Sequence, residues 1–170
     1  MLGNIVEQAV DVIVNAANTK LAGGGGVDGA IHRAAGRELV EACQALPPVN
    51  DKGQRCPTGE VRVTDAFTLP ARWVVHAVGP FYNEKYRQKA HDQLASAVRG
   101  ALDAAADLGA ASVALPAIST GAYRFPLDDA ARISIDEAYR SLDAGASVRE
   151  VRFVLFKPRF FDAFAQAVER

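Results

Sequence analysis

The sequence has few of the features that mark secreted, membrane or nucleic-acid-binding proteins. It contains only two cysteines, Cys43 and Cys56, which are too few for a disulfide framework and indicate free thiols in a reducing compartment. The formal net charge is −1, so nothing favours binding to bulk nucleic acid. No apolar run reaches the roughly 18 residues of a membrane span, and no signal peptide is recognisable. We therefore expect a cytoplasmic protein with no membrane partner.

The chain does have the length and the apolar content for one buried core. It has 170 residues, 49% of them hydrophobic, which predicts one domain over residues 1–170. Strands are predicted in VDVIVNAA, EVRVT, RWVVHAVG, SVALPAIS and VRFVLF. Helices are predicted over residues 28–46, 87–109, 127–144 and 159–169. This alternation favours the α/β class, with a mostly parallel sheet covered by helices on both faces.

Two glycine-bearing loops lie where such sheets bind ligands, beyond the carboxyl ends of the strands. The first loop has four consecutive glycines, residues 23–26, and leads into a helix at Asp28. The second loop, STGAYRFP, contains Gly121 and leads into the helix after Pro126. Free N–H groups at a helix start attract anions, and glycine lets a phosphate approach the backbone closely. The two loops could hold a diphosphate between them, or the glycine run could be a flexible linker.

The glycine spacing by itself does not identify a nucleotide fold. Gly24, Gly26 and Gly29 fit the pattern G-x-G-x-x-G. In a dinucleotide-binding fold that pattern directly follows a strand, whereas here NAANTKLA intervenes. The sequence also lacks the G-K-[ST] of a P-loop, so neither of these two classes is predicted.

Four polar side chains near the first loop have both a local and a functional interpretation. Asn15 and Asn18 could hydrogen-bond the hydroxyl groups of a sugar, or they could be turn formers. Asp28 could be a carboxylate directed at the ligand, or only a helix cap. His32 follows it by four residues on the same helix face, where it could act beside Asp28 or simply pack.

Five blocks occur in the order VDVIVNAAN, GGGGVDGAIHRAAG, CPTGEVRVT, LPARWVVHAVGP and LPAISTGAYRFP. With them the chain resembles the macro domain family over nearly its whole length, and most closely the MacroD-type ADP-ribose hydrolases. The resemblance implies a three-layer α/β/α fold with a central mixed, mostly parallel sheet. It implies ADP-ribose, ADP-ribosylated proteins and O-acetyl-ADP-ribose as ligands. Metals and cofactors are not expected, because backbone N–H groups can stabilise the charge that develops on an ester-like bond. We expect a monomer.

For this branch the resemblance implies removal of ADP-ribose from modified Asp and Glu side chains, and deacetylation of O-acetyl-ADP-ribose. Two other functions fit the same resemblance. The protein could be a module that binds ADP-ribose without turnover, or a phosphatase acting on ADP-ribose phosphate. The presence of Asn18 and Asp28 favours the hydrolase.

The resemblance also implies roles for individual residues. Asn18 would hydrogen-bond the distal ribose, and Asp28 would act on a water as a general base or orient a water that a substrate phosphate activates. Tyr123 and Phe125 would line the distal ribose and Phe156 would lie against the adenine, unless each is a core aromatic. Further ligand contacts are expected at Asn4, Ile5, Asn15, Gly24, Gly25, Gly26, Val27, His32, Ser119, Thr120, Gly121 and Ala122.

The chain departs from the family pattern at three places. Asn4 stands where an aspartate usually receives the adenine amino group, and its neutral amide forms a weaker hydrogen bond. The strand that usually precedes this block is absent, so we expect either one strand fewer in the sheet or a shortened start of the chain, with a neighbouring strand as an exposed edge. Arg124 stands in the second loop where glycine is common.

Overall fold

The computed structural model describes all 170 residues, and the five predicted strands form one sheet. The strands are β1 (Val12–Ala16), β2 (Val61–Asp65), β3 (Trp73–Ala77), β4 (Ser112–Leu115) and β5 (Glu150–Phe153). Their order across the sheet is β2-β3-β1-β4-β5. Only the β2 and β3 pair is antiparallel, and the other neighbours are parallel. The prediction of a mixed, mostly parallel sheet is confirmed.

Helices cover both faces of this sheet. They are α1 (Gly26–Ala35), α2 (Arg37–Ala45), α3 (Arg87–Asp107), α4 (Leu127–Asp143) and α5 (Pro158–Val168). Because side chains alternate along a strand, Ile13 joins the core under α1 and α2 while Val12 and Val14 join the core under α3, α4 and α5. The predicted three-layer α/β/α arrangement is therefore confirmed. No helix combines the length and the hydropathy needed to cross a membrane.

The prediction of one helix over residues 28–46 is wrong. The segment forms two helices, α1 and α2, because Gly36 adopts a φ of +91° between them. That backbone region is open to glycine and strongly disfavoured for other residues, so the chain changes direction there. The first helix also begins two residues earlier than predicted, at Gly26 within the glycine run.

The strand β5 forms one edge of the sheet, beside which the first residues of the chain run. Leu2 forms an isolated parallel bridge with Leu155, just beyond the end of β5. The backbone N–H of Gly3 donates to the carbonyl of Leu155 at 3.0 Å. The pairing consists of one isolated bridge and is not a full strand, so β5 remains the edge strand of the sheet. Asn4 follows this pairing on one segment and Phe156 follows it on the other.

Candidate active site

The polar residues predicted for the site gather at the carboxyl edge of the sheet, around the start of α1. Asn15, near the end of β1, is fully buried, and its direct neighbour in the parallel register is His76 of β3. Both side chains lie on the face that α1 and α2 cover, because they alternate with Val14 and Val75 of the opposite core. The sheet therefore presents two buried polar side chains to the first turn of α1.

Asp28 lies in that first turn, and its carboxylate is held through one oxygen. The Asn15 amide Nδ2 donates to Asp28 Oδ1 at 2.7 Å, and His32 Nε2 lies 3.3 Å from the same oxygen. The helix cap is Gly25, so Asp28 does not serve as a cap and the local interpretation does not apply.

The second oxygen of Asp28 faces the glycine run. A Cβ placed on Gly24 would lie 3.2 Å from Asp28 Oδ2 and 3.8 Å from Asn18 Nδ2. These three predicted residues are therefore close together. A Cβ on Gly29 would lie only 2.5 Å from the carbonyl oxygen of Gly24, so glycine at residue 29 lets the loop fold back onto the helix.

Asn18 uses its side chain within the first loop. Its Nδ2 donates to the carbonyl of Gly23 at 2.8 Å, and its Oδ1 accepts from the N–H of Ala22 at 3.3 Å. These bonds are those of a turn former, the local interpretation of this residue. A ribose contact by Asn18 would have to share or replace them.

The start of α1 also provides backbone donors. The first N–H groups of a helix have no partner inside it, which here concerns Gly26, Val27 and Asp28. Gly25 and Gly26 are exposed, and a Cβ on either would meet nothing within 4 Å, so the backbone at this helix start is uncrowded. An anion can approach them closely.

The second loop follows β4 and is tightly folded. Thr120 Oγ1 donates to the carbonyl of Ala117 at 2.7 Å, whereas the Ser119 hydroxyl is buried without a hydrogen-bond partner. Gly121 and Ala122 form the exposed tip, where a Cβ on Gly121 would meet nothing within 4 Å. The loop therefore presents an open backbone tip above an unused hydroxyl.

The backbone conformation of Arg124 explains why glycine is common at this position in the family. Its φ is +58°, in the left-handed region that favours glycine. Its N–H donates to the carbonyl of Gly121 at 3.0 Å, which closes the turn. The arginine thus keeps the backbone shape of a glycine at some cost in strain.

The predicted aromatic residues separate into three different environments. Tyr123 is half-buried, and burial raises the pKa of its hydroxyl with a further contribution from the charge of Asp28, which lies nearby. Phe125 is only 3% exposed and packs in the core against Tyr82 and His91, in agreement with its core alternative. Phe156 lies beyond the end of β5 and is 80% exposed.

The end of the site near Phe156 has fewer side-chain contacts. Asn4 Oδ1 accepts from the N–H of Val6 at 3.3 Å, while its Nδ2 lies 3.5 Å from Glu7 Oε1. Ile5 is buried in the core under α1, which leaves only its backbone for a ligand. Asn4 and Phe156 both follow the Leu2–Leu155 pairing at this edge of the sheet, and their contacts with adenine stay a prediction.

Sequence reasoning missed Phe81. Its ring is 69% exposed and stacks on Tyr123, with 3.8 Å between the ring centroids. The neighbouring N–H of Tyr82 donates to the carbonyl of Tyr123 at 2.8 Å. The loop after β3 therefore supports the second loop, through a contact between distant segments that no sequence pattern announces.

His76 was also missed. Its Nδ1 lies 3.1 Å from Asn15 Nδ2, and its Nε2 lies 2.9 Å from Thr64 Oγ1 and 3.6 Å from Cys43 Sγ. Burial lowers the pKa of this imidazole to about 3, with a smaller contribution from His32. A polar residue inside the apolar run RWVVHAVG was a signal that the sequence offered.

The two cysteines are free and buried. Burial raises the thiol pKa of Cys43 and of Cys56 to about 11 in each case. The prediction of free thiols is confirmed.

Comparison with known proteins identifies the family. The Macro domain family model matches residues 14–134. An O-acetyl-ADP-ribose deacetylase from Enterobacter cloacae is 49% identical over 91% of this chain and 83% of its own length. The Oceanobacillus iheyensis macrodomain with ADP has a TM-score of 0.92 at 39% identity, covering 99% of this chain and 87% of the other. The Trypanosoma brucei macrodomain in complex with ADP-ribose has a TM-score of 0.86 at 36% identity, covering 98% and 68%. The chain belongs to the macro domain family.

Proposed function

We propose that the protein binds ADP-ribose along the carboxyl edge of the sheet and hydrolyses ester bonds at the distal ribose. Its substrates are proteins that carry mono-ADP-ribose on Asp or Glu side chains, and O-acetyl-ADP-ribose. The similarity to a deacetylase and to a macrodomain with bound ADP-ribose supports this proposal.

The observation that carries the proposal is the geometry of Asp28. One carboxylate oxygen is engaged by Asn15 at 2.7 Å and by His32 at 3.3 Å, while the other is directed towards Gly24 at the open glycine run. A carboxylate that is fixed through one oxygen can accept a hydrogen bond from a water through the other. Because the side chain is already ordered, this costs little further conformational entropy. This arrangement suits hydrolysis more than simple binding.

The backbone supplies the phosphate site. The free N–H groups at the start of α1 follow the exposed glycines Gly25 and Gly26, and the tip of the second loop is formed by Gly121 and Ala122, so little side-chain bulk stands in the way of an anion. The diphosphate lies between these two loops, the distal ribose near Asp28 and the adenine between Asn4 and Phe156.

In the reaction, one water adds across the ester bond. The water oxygen bonds to the carbon under attack, the carbon–oxygen bond of the ester breaks, and the products are ADP-ribose and the free acid. Asp28 accepts the hydrogen bond of that water, either as the general base or as an orienting group while a substrate phosphate takes the proton. Backbone N–H groups stabilise the charge that develops.

The test compares three modified proteins that carry ADP-ribose on a carboxylate, on serine or on arginine, with free ADP-ribose as the measured product. We expect release from the carboxylate-linked protein alone, and acetate release from O-acetyl-ADP-ribose. The Asp28→Ala variant serves as the negative control in each assay. Tight ADP-ribose binding without release from any substrate would favour a binding module, and phosphate release from ADP-ribose phosphate would favour a phosphatase.

A further inference from the structure

The hydrogen bonds around Asn15 connect Asp28 to a buried histidine that the proposed reaction does not use. The two protons of Asn15 Nδ2 have two partners, Asp28 Oδ1 at 2.7 Å and His76 Nδ1 at 3.1 Å. Asn15 Oδ1 is buried and has no partner. The orientation of this amide therefore depends on its two donated bonds.

The opposite orientation of the amide is excluded by charge. Rotating it by half a turn would place Oδ1 against the carboxylate of Asp28, with two acceptors facing each other. The placement of nitrogen and oxygen thus follows from the network. Asn15 can donate to both partners only if His76 Nδ1 carries no proton.

The far side of the imidazole is consistent with this tautomer. With Nδ1 accepting, the ring proton lies on Nε2, which donates to Thr64 Oγ1 at 2.9 Å. The Thr64 hydroxyl in turn donates to the carbonyl of Asp65 at 3.1 Å. Each proton in the chain from Thr64 to Asp28 is donated once, so the tautomer of His76 and the orientation of the Asn15 amide are fixed together.

The imidazole stays neutral in this environment. His76 is fully buried, and burial lowers its pKa to about 3. The titratable groups that face it are Asp28 and His32 on α1 and Cys43 on α2, with 6.3 Å between the ring centroids of the two histidines. No proton moves onto this ring near neutral pH, so its effect on Asp28 is geometric.

We propose that His76 is a positioning residue for the hydrolase: its Nδ1 fixes the amide of Asn15, which pins one oxygen of Asp28 and leaves the other directed at the glycine run. This inference rests on the proposed function for its kinetic consequence, but the hydrogen-bond chain itself does not. The inference predicts that kcat depends on a hydrogen-bond acceptor at the Nδ1 position more than on the imidazole ring itself.

Two variants separate that atom from the ring. His76→Asn keeps an acceptor where Nδ1 was, because both atoms are bonded to Cγ, whereas His76→Gln removes it and keeps a polar group near the Nε2 position. We expect His76→Gln to lower kcat for O-acetyl-ADP-ribose about tenfold, with the Kd for ADP-ribose changed less than about twofold. His76→Asn should retain most of kcat. The melting temperatures of both variants are measured together with their kinetics.

A readout independent of turnover is the Asn15 side-chain amide in ¹H–¹⁵N spectra. In the parent and in His76→Asn its two protons should exchange slowly with solvent, and in His76→Gln at least about tenfold faster. This second measurement tests the hydrogen-bond chain even if the parent protein proves to have no hydrolase activity.

Several outcomes would overturn the proposal. One is a folded His76→Gln variant with parental kcat and parental amide exchange. Another is a His76→Asn variant impaired as strongly as His76→Gln, with losses that follow the melting temperature, because this would show a packing role. A parallel loss of ADP-ribose affinity and kcat would also contradict it, since positioning of Asp28 should act on turnover first.

Discussion

The two ends of the site are built in different ways. At the Asp28 end, Asn15 and Asp28 are buried and hydrogen-bonded to each other, and the partly buried His32 lies against the same Asp28 oxygen. At the Phe156 end, formed by Asn4 and Phe156, the aromatic ring is 80% exposed and Asn4 bonds only within its own turn.

The difference follows from what each end has to do. A group that acts on a reacting bond must be held within a fraction of an ångström, and buried networks provide that precision. A surface that stacks on a base needs area rather than precision, because every base presents a flat face. Substitutions at the Asp28 end should therefore change turnover, and substitutions at the Phe156 end should change affinity.

The largest effect should come from Gly121→Glu, which acts on the diphosphate that joins the two ends. Nothing lies within 4 Å of a Cβ there, so the fold should be unchanged. A like charge beside the phosphates costs several kcal/mol, which corresponds to a loss of affinity of about 10² or more. Calorimetry with ADP-ribose measures it. Gly121→Gln is the neutral control of similar size, and equal losses in both would assign the effect to bulk.

At the Asp28 end, Asp28→Ala should lower kcat by about 10² or more, the usual scale for a positioned acid–base group, with a smaller change in ADP-ribose affinity. Steady-state kinetics with O-acetyl-ADP-ribose separates the two quantities. Asp28→Asn keeps the shape without the charge. If it retains much more activity than the alanine variant, Asp28 orients the water rather than taking its proton. Near-parental turnover in Asp28→Ala would move the catalytic role elsewhere.

At the Phe156 end, Phe156→Ala should weaken ADP-ribose binding between about fivefold and about 100-fold, since stacking on a base contributes roughly 1–3 kcal/mol. Turnover at saturating substrate should stay unchanged, because the base is remote from the reacting bond. Phe161→Ala, on the outside of α5, is the matched aromatic deletion. A drop in saturated kcat for Phe156→Ala would contradict the division between the ends.

The smallest effect should come from Asn4→Asp, which restores the charge usual in the family. A hydrogen bond to an ionised acceptor contributes roughly 1.5–3 kcal/mol against about 1 for a neutral one, which predicts tighter ADP-ribose binding by a few-fold to about tenfold. Glu7 reduces this gain, because its Oε1 lies 3.5 Å from Asn4 Nδ2 and would repel a new carboxylate.

Introducing Asn4→Asp into a Glu7→Gln variant tests whether the charge of Glu7 limits the gain in affinity. There the benefit of Asn4→Asp should be larger than in the parent protein, and calorimetry in both backgrounds gives the difference. Unchanged affinity in both would mean that residue 4 does not contact the base. Weaker affinity would mean that the Asn4 amide donates to an acceptor on the ring.

The sequence predicted the strands and the position of Asp28 because both depend on local patterns. Each strand is a short apolar run between turn residues, and only Val27 separates Asp28 from the glycine run. The helix break at Gly36 was harder to predict, since a single glycine within a helical pattern costs only about 1 kcal/mol and often does not end the helix. Only its φ of +91° separates α1 from α2.

Tertiary contacts account for the remaining differences. Phe81 stacks on Tyr123 from a segment about 40 residues earlier in the chain, and Phe125 and Phe156 differ in burial although both follow strands. Periodicity describes which face of one element is apolar, but it does not report which distant loop covers an aromatic ring. The roles of such residues need the assembled sheet.

The buried cysteines make the protein convenient for chemical labelling. With thiol pKa values of about 11, Cys43 and Cys56 are thiolates at neutral pH to only about one part in ten thousand, and burial shields them from reagents as well. A cysteine introduced by Ala122→Cys at the exposed tip of the second loop would react with a maleimide dye in their place. A single fluorophore could then report the approach of a ligand to the phosphate loops in real time, with no need to remove the native thiols.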